Sequence, residues 1–134
     1  MERKVTLRRL SRWSLILFFI VAGTNHFITP ESYYPLIPDY LRSWDKLLNL
    51  LSGLAEIGFA VLLLQTPLRK FAGWGLILLL VAFIPSHIHF IQKGNLSLGP
   101  FVITPAIAWI RLVLVHPLLM LWVWWTVLKE EPKK

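Results

Sequence analysis

The chain contains no cysteine. Disulfides, thiol redox chemistry and cysteine-ligated metals are therefore excluded. Charge is also scarce: 16% of the residues are Asp, Glu, Lys or Arg, where a soluble domain carries roughly a quarter. There is no glycine-rich phosphate loop, no His-Glu-x-x-His run, and no serine with an acid-oriented base nearby in sequence. P-loop, zincin and serine-triad chemistries thus have no support here. Strict apolar/polar alternation is missing as well, which argues against a β-barrel.

What the chain has in abundance is apolar sequence, 56% of 134 residues, gathered into four blocks. They run over about 13–28, 47–64, 71–91 and 105–128. Each is near the roughly 20 residues that a helix needs to span the hydrocarbon of a bilayer. Lipid offers the backbone no hydrogen-bond partner, so such blocks must be helices. The expectation is an all-α membrane protein, a single transmembrane domain over 1–134 built as a four-helix bundle. A signal peptide is the other reading of the first block, but Val21-Ala22-Gly23 is a poor cleavage site.

The net charge of +7 does not point to nucleic acid, because no motif that reads RNA or DNA accompanies it. The basic residues instead cluster at block ends. Arg3, Lys4, Arg8, Arg9 and Arg12 precede the first block, Arg69 and Lys70 sit between the second and third, and Lys129, Lys133 and Lys134 follow the fourth. Only Arg42, Lys46, Lys93 and Arg111 lie elsewhere. The positive-inside rule then places both termini in the cytoplasm. The first and third connections face outward. The first, Pro30 to Asp45, holds three prolines, three tyrosines and Trp44, a composition suited to the headgroup zone. The third, Gln92 to Thr104, reads as a loop with Gly94, Gly99 and Pro100.

Ionisable side chains inside hydrocarbon cost several kcal/mol and commonly mark function. The blocks hold His26, Glu56, His87, His89, Arg111 and His116. At 1.5 Å per helical residue, His26 and His89 lie within about one turn of the outer ends, with His87 roughly 6 Å, Arg111 roughly 9 Å and Glu56 roughly 13 Å deep. All four helices thus send polar groups to the outer half, and His26, Glu56, His87, His89 and Arg111 form the candidate ligand-binding cluster. Arg111 has the length to reach Glu56, and Ser52, one turn from Glu56, is an alternative partner. His87 and His89 lie about 200° apart on a regular helix, so both face inward only if Pro85 kinks it. His116, about 140° from Arg111 and followed by Pro117, reads as a local kink residue. His26, His89 and Glu56 are the one set with the ligand types for a metal, but their spacing has no metal-site signature, and no metal is expected. Asn25-His26-Phe27 and Ile88-His89-Phe90 faintly echo each other. Small residues on the second and third helices (Ser52, Gly53, Ala60, Ala72, Gly73, Gly75) allow close helix approach.

These segments, taken in order, resemble a known pattern. Gly23-Thr24-Asn25-His26-Phe27 with Pro30, Tyr34 and Pro38 comes first, then Ser52-Gly53-Leu54-Ala55-Glu56-Ile57-Gly58 and Ala72-Gly73-Trp74-Gly75-Leu76. Phe83-Ile84-Pro85-Ser86-His87-Ile88-His89-Phe90 and Trp109-Ile110-Arg111-Leu112 complete it. The chain resembles the DoxX-like family of small four-helix membrane proteins over nearly its whole length. The resemblance implies a bacterial plasma (inner) membrane location. Some relatives are linked to quinone-dependent sulfur oxidation or to membrane oxidoreductase complexes, and others in the wider superfamily to protein assembly. His26, Glu56, His89 and Arg111 match the family's polar positions. The chain departs from the pattern at Ser86-His87, where Ala-Asn is expected, and at Val113 and Val115, where Pro and Gln are expected. Three functions follow as expectations: a redox-linked subunit that holds a quinone, alone or with a membrane or soluble redox partner; a non-catalytic assembly or partner protein; and transport of a small solute by an oligomer.

Overall fold

The computed structural model describes residues 2–98 and 100–129. Gly99, Lys133 and Lys134 of the expectations above lie outside the described residues. The described residues are all-α apart from one small hairpin. Helix α1 (Glu2–Ile28) is followed by short 3₁₀ turns at Pro30–Ser32, Tyr34–Leu36 and Asp39–Trp44. Then come α2 (Asp45–Leu62), α3 (Arg69–Ala82), α4 (Ile84–Lys93) and α5 (Pro105–Leu128). Between α4 and α5, strands β1 (Leu96–Leu98) and β2 (Phe101–Ile103) pair antiparallel, with Leu96 opposite Ile103.

Length and apolar composition make two helical stretches able to cross a membrane, Thr66–Lys93 and α5. A third counts when α1 is taken with Pro30–Leu36, which bends away by 96°. The 18-residue α2 begins at Asp45 and Lys46 and contains Glu56, and this charge keeps it out of that set. The outward faces are nevertheless apolar: Leu17 is 64% exposed, Leu78 66% and Val113 64%. Water would penalise apolar area displayed on this scale, whereas hydrocarbon accepts it.

Element boundaries follow local chemistry. Pro105 stands in the first turn of α5, where a missing N–H costs nothing. Gly94, at φ 78°, ends α4 in the positive-φ region that only glycine enters without strain. The expected third helix over 71–91 is interrupted at Phe83, because Pro85 lacks the N–H that would serve the Val81 carbonyl. The expected loop over 92–104 contains the hairpin, since Leu96, Val102 and Ile103 suit an extended ladder. The helix expected from Trp13 starts at Glu2, as the basic stretch before it has no helix breaker.

Packing divides the bundle. Leu15, Ile16 and Phe19 of α1, Ala60 of α2, Ala72, Leu76 and Leu80 of α3 and Val123 of α5 form the dry core, together with Leu63 just past α2. It occupies the half of the bundle nearer the basic N-terminal turns. Towards the other end α1 and α2 nearly touch through their backbones. A Cβ added at Gly23 would stand 2.8 Å from the Gly53 carbonyl oxygen, and one at Gly53 2.9 Å from that of Gly23. Only two glycines facing each other permit that approach.

Candidate functional site

Beside the Gly23–Gly53 crossing, between α1, α2, α3, α4 and α5, lies a cavity of about 440 Å³. This lies within the size range of small-molecule sites. Its wall is mostly apolar: Phe18 and Phe19 of α1, Leu79 and Leu80 of α3, and Phe90 of α4 contribute. Tyr33, Leu36 and Ile37 from the segment after α1 close one side. The polar groups that line it include His26, Asn49, Ser52, Glu56, Ser86, His87, Arg111 and His116, besides the Tyr33 ring with its hydroxyl.

His26 and Glu56 meet at the α1–α2 contact, with His26 Nε2 3.6 Å from Glu56 Oε2. Both are buried. Asn49, one helical turn before Gly53 on the same face of α2, orients the imidazole. Its Nδ2 donates to the His26 carbonyl at 2.9 Å, so its Oδ1 is left as the acceptor for His26 Nδ1 at 2.6 Å. That assignment puts a proton on Nδ1 and turns Nε2 towards the carboxyl group. At 3.6 Å the two atoms are within ion-pair range but not hydrogen-bonded. Tyr33 stacks on the imidazole with ring centroids 3.9 Å apart, and its hydroxyl accepts from Asn25 Nδ2 at 2.7 Å. Glu56 Oε2 is buried without a hydrogen-bond partner. Ser52 does not bond it, contrary to one expectation.

Arg111 does not reach Glu56 either. Among the described residues it forms no ion pair, and its guanidinium lies over the Phe90 ring at 5.7 Å. The α5 backbone explains its direction. Over Arg111–Val115 the helix widens to i→i+5 hydrogen bonding, and the His116 N–H reaches the Arg111 carbonyl. Pro117, at the next position, has no N–H and crowds the turn before it. The extra residue in that turn rotates His116 towards the Arg111 face, overriding the 140° of a regular helix. His116 thus lines the cavity, although the sequence marked it only as a kink residue. Its Nε2 donates to the Leu80 carbonyl, near the interruption between α3 and α4, and its ring meets that of His87 edge-on with centroids 4.7 Å apart.

Of the five residues expected to cluster, His26, Glu56, His87 and Arg111 line the cavity, and His89 does not. On α4 the cavity side takes His87, and His89 is buried near Asp39, Arg42 and Lys93. Its Nε2 has no partner. His89 therefore does not join His26 and Glu56. Among the described residues no three His, Asp or Glu side chains gather where one ion could be held. Sequence reasoning missed Asn49 and Tyr33. Asn49 carried a readable signal, a polar residue four before Gly53 and seven before Glu56 in an apolar helix.

A family model for a domain of unknown function, DUF8561, matches residues 15–127. The chain belongs to this family. The match takes in every residue of the cavity and assigns none of them a role. Neither the curated proteins nor the solved structures contain a match.

Proposed function

We propose that this chain is a redox-linked integral membrane protein whose cavity takes a quinone or a similar amphipathic carbonyl compound. One observation carries the reading: an apolar-walled cavity of about 440 Å³ whose polar groups converge while, among the described residues, Glu56 Oε2 lacks a hydrogen-bond partner and Arg111 lacks an anion. Fold and packing normally satisfy such groups, so a guest with its own polar edge fits them. The resemblance to the DoxX-like family supports the same class of ligand. In this reading α1, α2, α3 with α4, and α5 each cross the bilayer, with both termini cytoplasmic in a bacterial inner membrane. Asp45 and Lys46 then sit at the outer interface, and Glu56 is the one charged residue of α2 at depth.

A bound quinone would supply reversible reduction coupled to proton uptake. The chain's own residues do the rest. Arg111 and His87 offer N–H groups to a carbonyl oxygen from the α4–α5 side. The His26–Glu56 pair, fixed in direction by Asn49, holds a proton at Nε2 or Oε2 and can pass it towards the cavity. Tyr33 and Ile37 shut the pair off from the aqueous side.

The test is a quinone titration of the purified protein by wild type, Arg111→Leu and Glu56→Gln, with extraction of co-purifying lipids. Wild type should bind with a dissociation constant in the micromolar range, and Arg111→Leu should weaken binding about tenfold, the loss of one charge-assisted hydrogen bond. Glu56→Gln should retain binding and lose proton uptake on reduction. Negligible binding by all three would sink the reading.

A further inference from the structure

The opposite end of the bundle holds a second concavity, of about 330 Å³, lined by Arg9, Arg12, Trp13, Leu64 and Arg69. Arg9 and Arg69 are close enough to repel Arg12. Like charges gathered this way cost free energy unless something anionic sits among them. Among the described residues no acidic side chain pairs with any of the three. Arg69 is held in place, its Nε donating to the Leu63 carbonyl at 3.0 Å and one terminal nitrogen to that of Leu64 at 3.4 Å. Its guanidinium is thus anchored at the end of α2 rather than trailing in solvent. Trp13 and Leu64 border the arginines with apolar surface and are 53% and 44% exposed.

We propose that this concavity binds a phosphate-bearing anion. Guanidinium forks match the oxygens of a phosphate monoester or diester. The anion is either the phosphodiester of an acidic lipid headgroup or free phosphate. The neighbouring Trp13 and Leu64 favour the lipid, because a molecule with both a phosphate and acyl chains covers both kinds of surface. This site is separate from the cavity, and it stands whether or not a quinone binds there.

The test uses the full chain in a neutral detergent. Phosphatidylglycerol, phosphatidylcholine with the same acyl chains, and inorganic phosphate are titrated separately, and bound lipid is counted by native mass spectrometry. One phosphatidylglycerol per chain should be retained in preference to phosphatidylcholine. The double substitution Arg9→Gln with Arg12→Gln should weaken it about tenfold or more. Arg3→Gln with Lys4→Gln, which removes equal charge outside the concavity, should change it less than about twofold. If inorganic phosphate displaces the lipid one for one and binds by itself, the site belongs to free phosphate and the phosphate chemistry stands. Equal retention of both lipids with no phosphate binding, or equal loss in both double variants, overturns it. Should the Arg9/Arg12 variant fail to fold, Arg12→Gln read against Lys4→Gln gives the same discrimination, since Arg12 holds no hydrogen-bond or ion-pair partner among the described residues.

Discussion

The two halves of this bundle treat buried polarity in opposite ways. In the basic half, Ser11, Trp122 and Thr126 satisfy one another. Trp122 Nε1 donates to Ser11 Oγ at 2.8 Å, and Ser11 Oγ shares a hydrogen bond with Thr126 Oγ1 at 2.8 Å. Beside them Leu15, Leu63, Leu76 and Val123 are fully buried. In the cavity half, Glu56 Oε2 and His89 Nε2 are buried without a hydrogen-bond partner among the described residues, beside a cavity of about 440 Å³. Where polar groups serve only packing, the fold closes them on themselves. Where they are left open, their desolvation cost is not offset within the fold, and the proposed guest would supply the missing partner.

The Asn49 clasp is the sharpest way to break that comparison, since it is a buried, doubly hydrogen-bonded polar element in the open half. Asn49→Leu removes the partners of both His26 Nδ1 and the His26 carbonyl. Two buried groups then go unpaired, and the expected loss is about 2–3 kcal/mol in unfolding experiments in detergent. The imidazole also loses its fixed direction, so any proton uptake assigned to Glu56 should fall with it. A loss under about 0.5 kcal/mol would mean that the cavity half is already wet and that its polar groups are served by water.

This division was only partly legible in the sequence. The apolar blocks were, because crossing length and hydropathy are additive along the chain, and the last block, 105–128, coincides with α5. Depth counting placed His26 and Glu56 in one cluster, but it set them at different depths and paired Glu56 with Arg111 or Ser52, so their direct approach came only from how α1 packs on α2. The inward turn of His116 did not, because the widened turn at Arg111–Val115 changes the angle per residue, and no residue type in Arg111-Leu112-Val113-Leu114-Val115 announces it. Pro117 was the available hint. Arg111 over Phe90 was equally hidden: its length allowed several partners, and only the packing of α4 against α5 selects one. Tyr33 was read as an interfacial ring, and its stacking on His26 depends on the sharp bend after Ile28, which spacing does not encode.

The closed network offers the converse test, with a smaller effect. Ser11→Ala leaves the Trp122 N–H and the Thr126 hydroxyl without their shared partner. Interhelical hydrogen bonds in membrane bundles average well under the value of a buried clasp, and about 1 kcal/mol of stability should be lost. Ligand binding in the cavity should be unchanged, because α1 and α5 join here at the far end from Glu56. If Ser11→Ala instead altered quinone affinity as much as Arg111→Leu, the two halves would be mechanically coupled and the comparison would fail.

The smallest effect belongs to the rim of the cavity half. Asp39 holds Arg42 at 2.8 Å and Lys93 at 3.4 Å, tying the Asp39–Trp44 turn to the end of α4. Slight burial acts to raise the Asp39 pKa, but the Lys93 hydrogen bond and the charges of Lys93 and Arg42 outweigh it and hold the pKa below the usual carboxylate value. A depressed folded-state pKa means that the tie is fully present above the ordinary carboxylate range. It is lost as pH falls through the lower, folded-state value. Amide exchange over 39–44 should therefore be faster in Asp39→Asn than in wild type at neutral pH, and the two should converge in acid. Because the pair is exposed, the gap should be modest and should shrink with added salt. A gap that persisted below the carboxylate range would show that the substitution acts through the local turn and not through the charge that bridges it to α4.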